Sequence, residues 1–336
     1  MNQIKFKKPV VLLFAIIAFL IIYSVLISFM SIECDQAIII SDGFREIPSN
    51  LMSSRNIYFL ETHNTSDHFL TTRAACSIES AALMNPNTNI FVLFLSPSKY
   101  TRLKNWSQFQ GILNYKNIHL KYFNTEDFTK DTVIDDWINK GLLSSSWYQV
   151  VHTSDILRYA LLYKYSGIYL DLDVIVRKSL DEIEFENFAC FQDDREIVNN
   201  AILKITNDDG GVLGKMLLNE VISHFDGFDW SMNGPKLLTR VLKNYCDVTD
   251  FLSTSKCGNF TILTQELCYP IPWQKWDDYF TEQDSQKVME SVENSYFVHF
   301  WNRKSEGKML EKRSHAAFNQ LASKYCPHVY ATNVLI

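Results

Sequence analysis

Residues Val10 to Ile32 carry no charge at all: VVLLFAIIAFLIIYSVLISFMSI. At about 1.5 Å per residue, roughly 20 such residues cross a ~30 Å hydrocarbon layer as a helix, so the run is long enough to span a membrane. A cleaved signal peptide has a shorter apolar run, about 7–15 residues, and a small-x-small exit. Here the exit reads Met30-Ser31-Ile32-Glu33. Lys5, Lys7 and Lys8 precede the run and Glu33 and Asp35 follow it, which keeps the N-terminus cytosolic. The expectation is a type II signal-anchor: residues 1–9 a cytosolic tail, 10–32 the membrane span, 33–55 a stem and 56–336 one lumenal domain.

That placement changes how seven cysteines are read, because disulfides persist in an oxidising lumen. No CxxC occurs and no Cys/His spacing suggests a zinc site. Cys246 and Cys257 are the pair expected to close a small loop, and Cys34, just outside the membrane, is expected to be free or intermolecular. Sequons stand at Asn64, Asn105 and Asn259. The net charge of −6, with scattered Lys and Arg, excludes the basic face a nucleic-acid binder needs. Aromatics make up 14% of the chain, as in proteins that stack rings on sugars, although most such rings fill cores.

From about Asn56 strands alternate with helices. Ile57–Leu60, Ile90–Leu95 and Ile118–Tyr122 read as buried strands. Thr72–Met84 reads as a helix stopped by Asn85-Pro86. A second helix covers about Val150–Tyr165, with Gly167 just past its end, and Ile168–Leu170 is a strand running into Asp171. This alternation predicts an α/β fold, a Rossmann-like, largely parallel sheet with helices on both faces. After about residue 210 the pattern loosens and aromatics cluster, which suits a substrate-covering part of the same domain.

The chemistry concentrates in Gly167-Ile-Tyr169-Leu-Asp171-Leu-Asp173. In open α/β sheets ligands bind outside the carboxyl ends of strands. Two aspartates spaced i, i+2 at such an end can approach one ion, and hard divalent cations take carboxylate oxygens and share substrate phosphates. On the preceding helix Asp155 and Arg158, three apart, share a face. Arg158 can pair with Asp155 or reach a diphosphate.

The stretch SDILRYALLYKYSGIYLDLDVIVRKSL at 154–180 resembles the core of the α-1,4-galactosyltransferase and α-1,4-N-acetylglucosaminyltransferase family. FLET at 59–62, CSIESAA at 76–82, NGPKLLTRV at 233–241, YPIPW at 269–273, HFWNRKS at 299–305 and Cys326-Pro327 extend the resemblance in the same order. It implies a Golgi type II enzyme of GT-A fold that transfers a hexose with retention, from UDP-Gal, UDP-GalNAc or UDP-GlcNAc, using Mn²⁺. It implies donor contacts from Phe59, Leu60, Glu61, Thr62, Asp155, Arg158, Tyr169, Asp171 and Asn199. Asp171 and Asp173 are the implied catalytic pair, with Asp173 on the metal and Asp171 on the donor and metal; His299, in HFW, is a candidate for a further metal or diphosphate contact, with a structural histidine as the alternative. Gly234, Pro235, Trp273 and Trp301 are the implied acceptor or lid residues, and Trp230 and Trp276 could join the stacking wall. The acceptor expected is a glycolipid glycan in the Golgi membrane, with a glycoprotein glycan as the alternative. A homodimer is left open.

Retention requires either a covalent carboxylate intermediate or same-face attack. Asp193 and Asp194 could supply the former or merely cap the segment before them. The chain departs from the family at Ser166 for Gly, Leu172 for Thr, His63 for Ser and Asn200 for Gly. Ser166 is tolerable at negative φ, and Leu172 is expected to point away from the metal by strand alternation. His63 and Asn200 leave the donor sugar open. Strand-DLDV also resembles the nucleophile motif of haloacid-dehalogenase phosphatases, but Asp193-Asp194 and Asp208-Asp209 follow it too soon for that fold's acidic pair. Asp209–Met216 lacks the first glycine and the Ser/Thr of a P-loop. An inactive, membrane-anchored sugar-binding relative is the non-enzymatic alternative, and both DXD aspartates argue against it.

Overall fold

The computed structural model describes residues 38–41, 43–44, 51–104, 106–193, 196–207, 211–252 and 254–332. The expected membrane span, Cys34, Asn105 and Asp194 lie outside the described residues. No helix among the described residues is long and apolar enough to cross a membrane.

Strands run in chain order as β1 (Ile38–Ile40), β2 (Ile57–Glu61), β3 (Asp67–Phe69), β4 (Ile90–Leu95), β5 (Thr101–Lys104), β6 (Ile118–Phe123) and β7 (Gly167–Leu170). They continue as β8 (Val174–Val176), β9 (Asn187–Phe191), β10 (Val198–Ile205), β11 (Lys256–Cys257), β12 (Phe260–Leu263) and β13 (Phe297–His299). The main sheet has the order β11-β12-β9-β10-β7-β2-β4-β6. β7, β2, β4 and β6 are parallel, as the alternation predicts. β10 is antiparallel to both its neighbours, and β11 to β12. The sheet is therefore mixed rather than largely parallel. Only residues 192–197 connect β9 to β10, far short of the dozen or more a parallel crossover needs.

Helices α1 (Thr72–Met84), α2 (Gln149–Tyr165), α3 (Val212–His224), α4 (Pro235–Tyr245) and α5 (Ala317–Tyr325) cover both faces. α1 and α5 pack on one face with β8 and β13, and α2, α3 and α4 on the other. β4 is buried along its whole length, as a central parallel strand covered on both faces should be. α1 begins where the Thr71 hydroxyl accepts from Ala74 N at 3.1 Å, and ends where Asn85 Nδ2 donates to Ala81 O at 2.9 Å. β1, inside the expected stem, pairs with β5 in a small sheet of order β1-β5-β3.

Cys246 and Cys257 are bonded, as expected, and Cys76–Cys326 and Cys190–Cys268 are bonded as well. Ser166 departs from the expectation of negative φ: it ends α2 at φ 55°, ψ 169°, followed by Gly167 at φ 124°. The chain must reverse within two residues so that Gly167 can pass under Tyr58, where any Cβ would lie 2.6 Å from the ring.

Candidate active site

β7 stops at Leu170 because residues 171–173 turn, with Val174 N donating to Asp171 O at 3.1 Å. In a turn strand alternation no longer holds, and Leu172 lines the same cleft as the two aspartates instead of pointing away. β8 then pairs with β13, with Val174 opposite His299, and this register sets the imidazole beside Asp173. His299 Nε2 lies 3.0 Å from Asp173 Oδ1, and Asn302 N donates to Asp173 Oδ2 at 2.7 Å. Burial alone would raise the Asp173 pKa, but the His299 charge and hydrogen bond, with the Asn302 amide, bring it below the usual carboxylate range. Burial likewise opposes the charged form of His299, and Asp173 overcomes it, so the imidazole pKa is raised.

α2 begins at Gln149, one residue before the expected start, and places Asp155 and Arg158 in its buried middle. Arg158 pairs with Asp155, Nη2 to Oδ1 at 3.2 Å, and also with Asp171, Nη1 to Oδ1 at 3.2 Å. It donates besides to Ser154 O, Ser154 Oγ and Asn200 O, and lies over the Tyr169 ring at 4.4 Å. The guanidinium is thus spent on holding carboxylates and backbone. Tyr169 Oη donates to Asp171 Oδ1 at 2.7 Å. Burial raises the Asp155 pKa, against the pull of Arg158 and of Asn200, whose Nδ2 donates to Asp155 Oδ1 at 2.9 Å. Asn200, where the family has glycine, is therefore a partner of Asp155.

These groups face a cleft of about 640 Å³, within the ~300–1,000 Å³ range of small-ligand sites. Of the expected residues, Leu60, Glu61, Thr62, Asp155, Arg158, Tyr169, Asp171, Asp173, Asn199, Pro235, Trp273, His299 and Trp301 line it, as do Trp230 and His63. Phe59 does not, because alternation along β2 turns it into the core. Gly234 stands behind Asp155, outside the cleft wall. Trp276 packs beside Phe280 instead of lining the cleft. Asp193 Oδ1 accepts from Glu196 N and Ile197 N, so it caps the β9–β10 turn and is absent from the wall.

The sequence reading passed over Gln192, Asn302, Arg303 and Lys304, which also line the cleft. Gln192 Oε1 accepts from Asn199 Nδ2 at 2.7 Å, and Lys304 Nζ lies 5.4 Å from the Trp273 ring centre. The signal for the last three was HFWNRKS, which contains them. His63 Nδ1 is 2.5 Å from Glu61 Oε1, and that hydrogen bond raises the imidazole pKa.

Potential ligand atoms of Asp171, Asp173 and His299 all lie within 4.8 Å of one another. The His299 side chain is buried and its Nδ1 has no hydrogen-bond partner among the described residues. Two carboxylates and an imidazole form a donor set that suits a hard or borderline divalent cation.

Residues 71–189 match the glycosyltransferase sugar-binding region containing the DXD motif, and residues 206–333 match the α-1,4-glycosyltransferase conserved region. The lactosylceramide 4-alpha-galactosyltransferase of Mus musculus is 34% identical over 81% of this chain and 74% of its own length. The chain belongs to the α-1,4-glycosyltransferase family. This glycosyltransferase is also 28% identical to the alpha-1,4-N-acetylglucosaminyltransferase of Homo sapiens, over 83% of this chain and 81% of that one. Among solved structures it is similar to a galactosyltransferase in complex with donor and acceptor sugar analogs, at 13% identity and a TM-score of 0.43, covering 81% of this chain and 95% of that chain. The family makes the protein a hexosyltransferase.

Proposed function

We propose that this hexosyltransferase is a retaining enzyme of GT-A type that transfers galactose from UDP-Gal to a glycolipid glycan, forming an α-1,4 linkage. UDP-GalNAc and UDP-GlcNAc are the alternative donors. We propose further that it works in the Golgi lumen as a single-pass type II membrane protein. The observation that carries the reading is the convergence of Asp171, Asp173 and His299 in a cleft that Glu61, Thr62 and His63 also line.

Asp171, Asp173 and His299 would hold Mn²⁺. A bound divalent cation supplies charge neutralisation for the departing UDP. The chain's own residues prepare that site. Arg158 and Tyr169 hold the Asp171 carboxylate in position, and the Asn302 amide holds Asp173. Asn199 and Gln192, hydrogen-bonded to each other and lining the same cleft, present polar groups to the donor sugar. Trp230 and Trp273, both exposed on the cleft, offer aromatic surface to an acceptor, whereas Trp301 is buried against Tyr269 and His299. The relatives' names support galactose over N-acetylhexosamine, since the galactosyltransferases match at the higher identity.

The test is UDP release by the full chain with Mn²⁺ and each donor in turn, with and without a glycolipid ending in lactose, beside Asp173→Ala. Acceptor-stimulated release from UDP-Gal alone, lost in the variant, is the expected result. Stimulation by another donor, or none by any glycolipid, would overturn the assignment.

A further inference from the structure

We propose that the outer face of the small sheet β1-β5-β3 rests on the bilayer surface, and that this contact turns the mouth of the active-site cleft toward lipid-linked acceptors. The inference rests on the membrane-anchor reading above and deepens it.

The first ground is reach. The uncharged run ends at Ile32 and β1 begins at Ile38. Five intervening residues, fully extended at about 3.3–3.6 Å each, span no more than about 20 Å. A domain whose first strand is so close to the membrane cannot swing clear of it, and the sheet carrying that strand is the part held nearest.

The second ground is the character of that sheet. Ile39 pairs with Arg102, and Arg102 with Asp67. Alternation buries Ile40, Thr101, Leu103 and His68 against the domain. The opposite face carries Ile39, 59% exposed, Phe69, 57% exposed, and Arg102, whose Nε lies 3.9 Å from Asp67 Oδ1, and the exposed Lys99 and Tyr100 stand just before β5. An aliphatic side chain, aromatic rings and cations presented together match the composition of proteins at the membrane–water interface.

The third ground is position. Only residues 64–66 separate β3 from His63, the end of the segment Glu61–His63 that lines the cleft, and His68 Nε2, 3.0 Å from Leu95 O, ties β3 to the end of β4. The sheet is therefore joined by a short connection to a segment that lines the cleft. A second exposed aromatic pair, Trp147 and Phe228, stands at 5.1 Å between ring centres near Val150 on the same cleft. No short connection ties that pair to the anchor.

The experiment places the full chain in phosphatidylcholine nanodiscs containing a diazirine-bearing phosphatidylcholine and maps the photo-adducts by mass spectrometry. Adducts on the peptides around residues 39, 69 and 99–102 are expected. Adducts at Trp147 and Phe228 instead, or on neither surface, would overturn the proposal. In parallel, the double variant Ile39→Glu and Phe69→Glu should transfer to nanodisc-embedded glycolipid at least about fivefold more slowly, having lost two apolar contacts with lipid. Its transfer to a soluble oligosaccharide of the same terminal sequence should be unchanged, which also shows that it folds. Equal loss on both acceptors, or on neither, would count against docking. If wild type uses neither acceptor, the glycolipid reading fails while the adduct map still decides the docking. Extraction of the full chain from membranes by alkaline carbonate would sink the anchor reading, and the docking with it.

Discussion

Gly234 lies against the carboxylate of Asp155: a Cβ at position 234 would stand 2.8 Å from both Oδ1 and Oδ2. Asp155 cannot step aside, because Arg158 and Asn200 hold it from the other side and Tyr159 Oη donates to Gly234 O at 3.0 Å. Gly234→Ala is therefore expected to cost about 1–3 kcal/mol, the usual penalty of overpacking. A thermal or urea melt reads this directly, and an unchanged midpoint would mean that Asp155 is less firmly held than its contacts imply.

Arg158 serves two carboxylates at once, which a lysine ammonium cannot do in the same planar geometry. Arg158→Lys should leave Asp171 less firmly oriented. Groups that orient metal ligands typically matter by about 10–100-fold in affinity, so the Mn²⁺ concentration for half-maximal activity should rise by at least about tenfold. Titrating activity against Mn²⁺ in both proteins decides it, and superimposed curves would remove Arg158 from that role.

Ser166 and Gly167 predict opposite signs. Ser166 occupies φ 55°, ψ 169°, a region almost reserved for glycine and costing about 1–3 kcal/mol. Ser166→Gly gives up the bond from Asn207 N to Ser166 Oγ at 3.1 Å, worth about 1 kcal/mol. The net expectation is stabilisation by about 1 kcal/mol, the difference of those two effects. Gly167→Ala instead meets Asn56 O at 2.7 Å and should destabilise by about 3 kcal/mol, at the upper end of overpacking costs. Paired denaturant melts test both signs.

Asp229 directly precedes Trp230, which lines the cleft, and hydrogen bonds from Lys236 and from the Ser231 amide hold its pKa down to about 2. A folded pKa below the unfolded value means that the unfolded chain binds the proton first as pH falls. The stabilisation is complete above about pH 4 and disappears as pH drops through about 2. The pair is partly exposed, so the effect is small and salt-sensitive. Urea midpoints between pH 5 and pH 2.5 should fall further in wild type than in Asp229→Asn, and parallel profiles would contradict this.

Much of the parallel half of the sheet was legible in the sequence, because the apolar run Ile90–Leu95 and the helix Thr72–Met84 are each followed closely by a breaker, Pro97 and Asn85-Pro86. The DXD aspartates were legible too, standing directly after a strand. β10 was not, since Asn199, Asn200 and Lys204 interrupt any apolar pattern in Val198–Ile205, and only the short connection from β9 sets its direction. Nor was the second partner of Arg158 visible, because contact with Asp171 depends on how α2 crosses the end of β7. Gln192 and Asn302 lie just outside regular strands and reach the cleft through the β9–β10 turn and the β8–β13 pairing, which no local pattern encodes.

The bond between Cys76 and Cys326 joins the first long helix to the last, 250 residues further on. A protease that cuts the backbone once anywhere between them releases nothing, because both fragments stay attached through that sulfur bridge. On a gel without thiol the clipped enzyme would run as one full-sized species, and only a reductant would separate its pieces. Loss of chain length would thus be a poor measure of damage to this protein for as long as that bond stays oxidised.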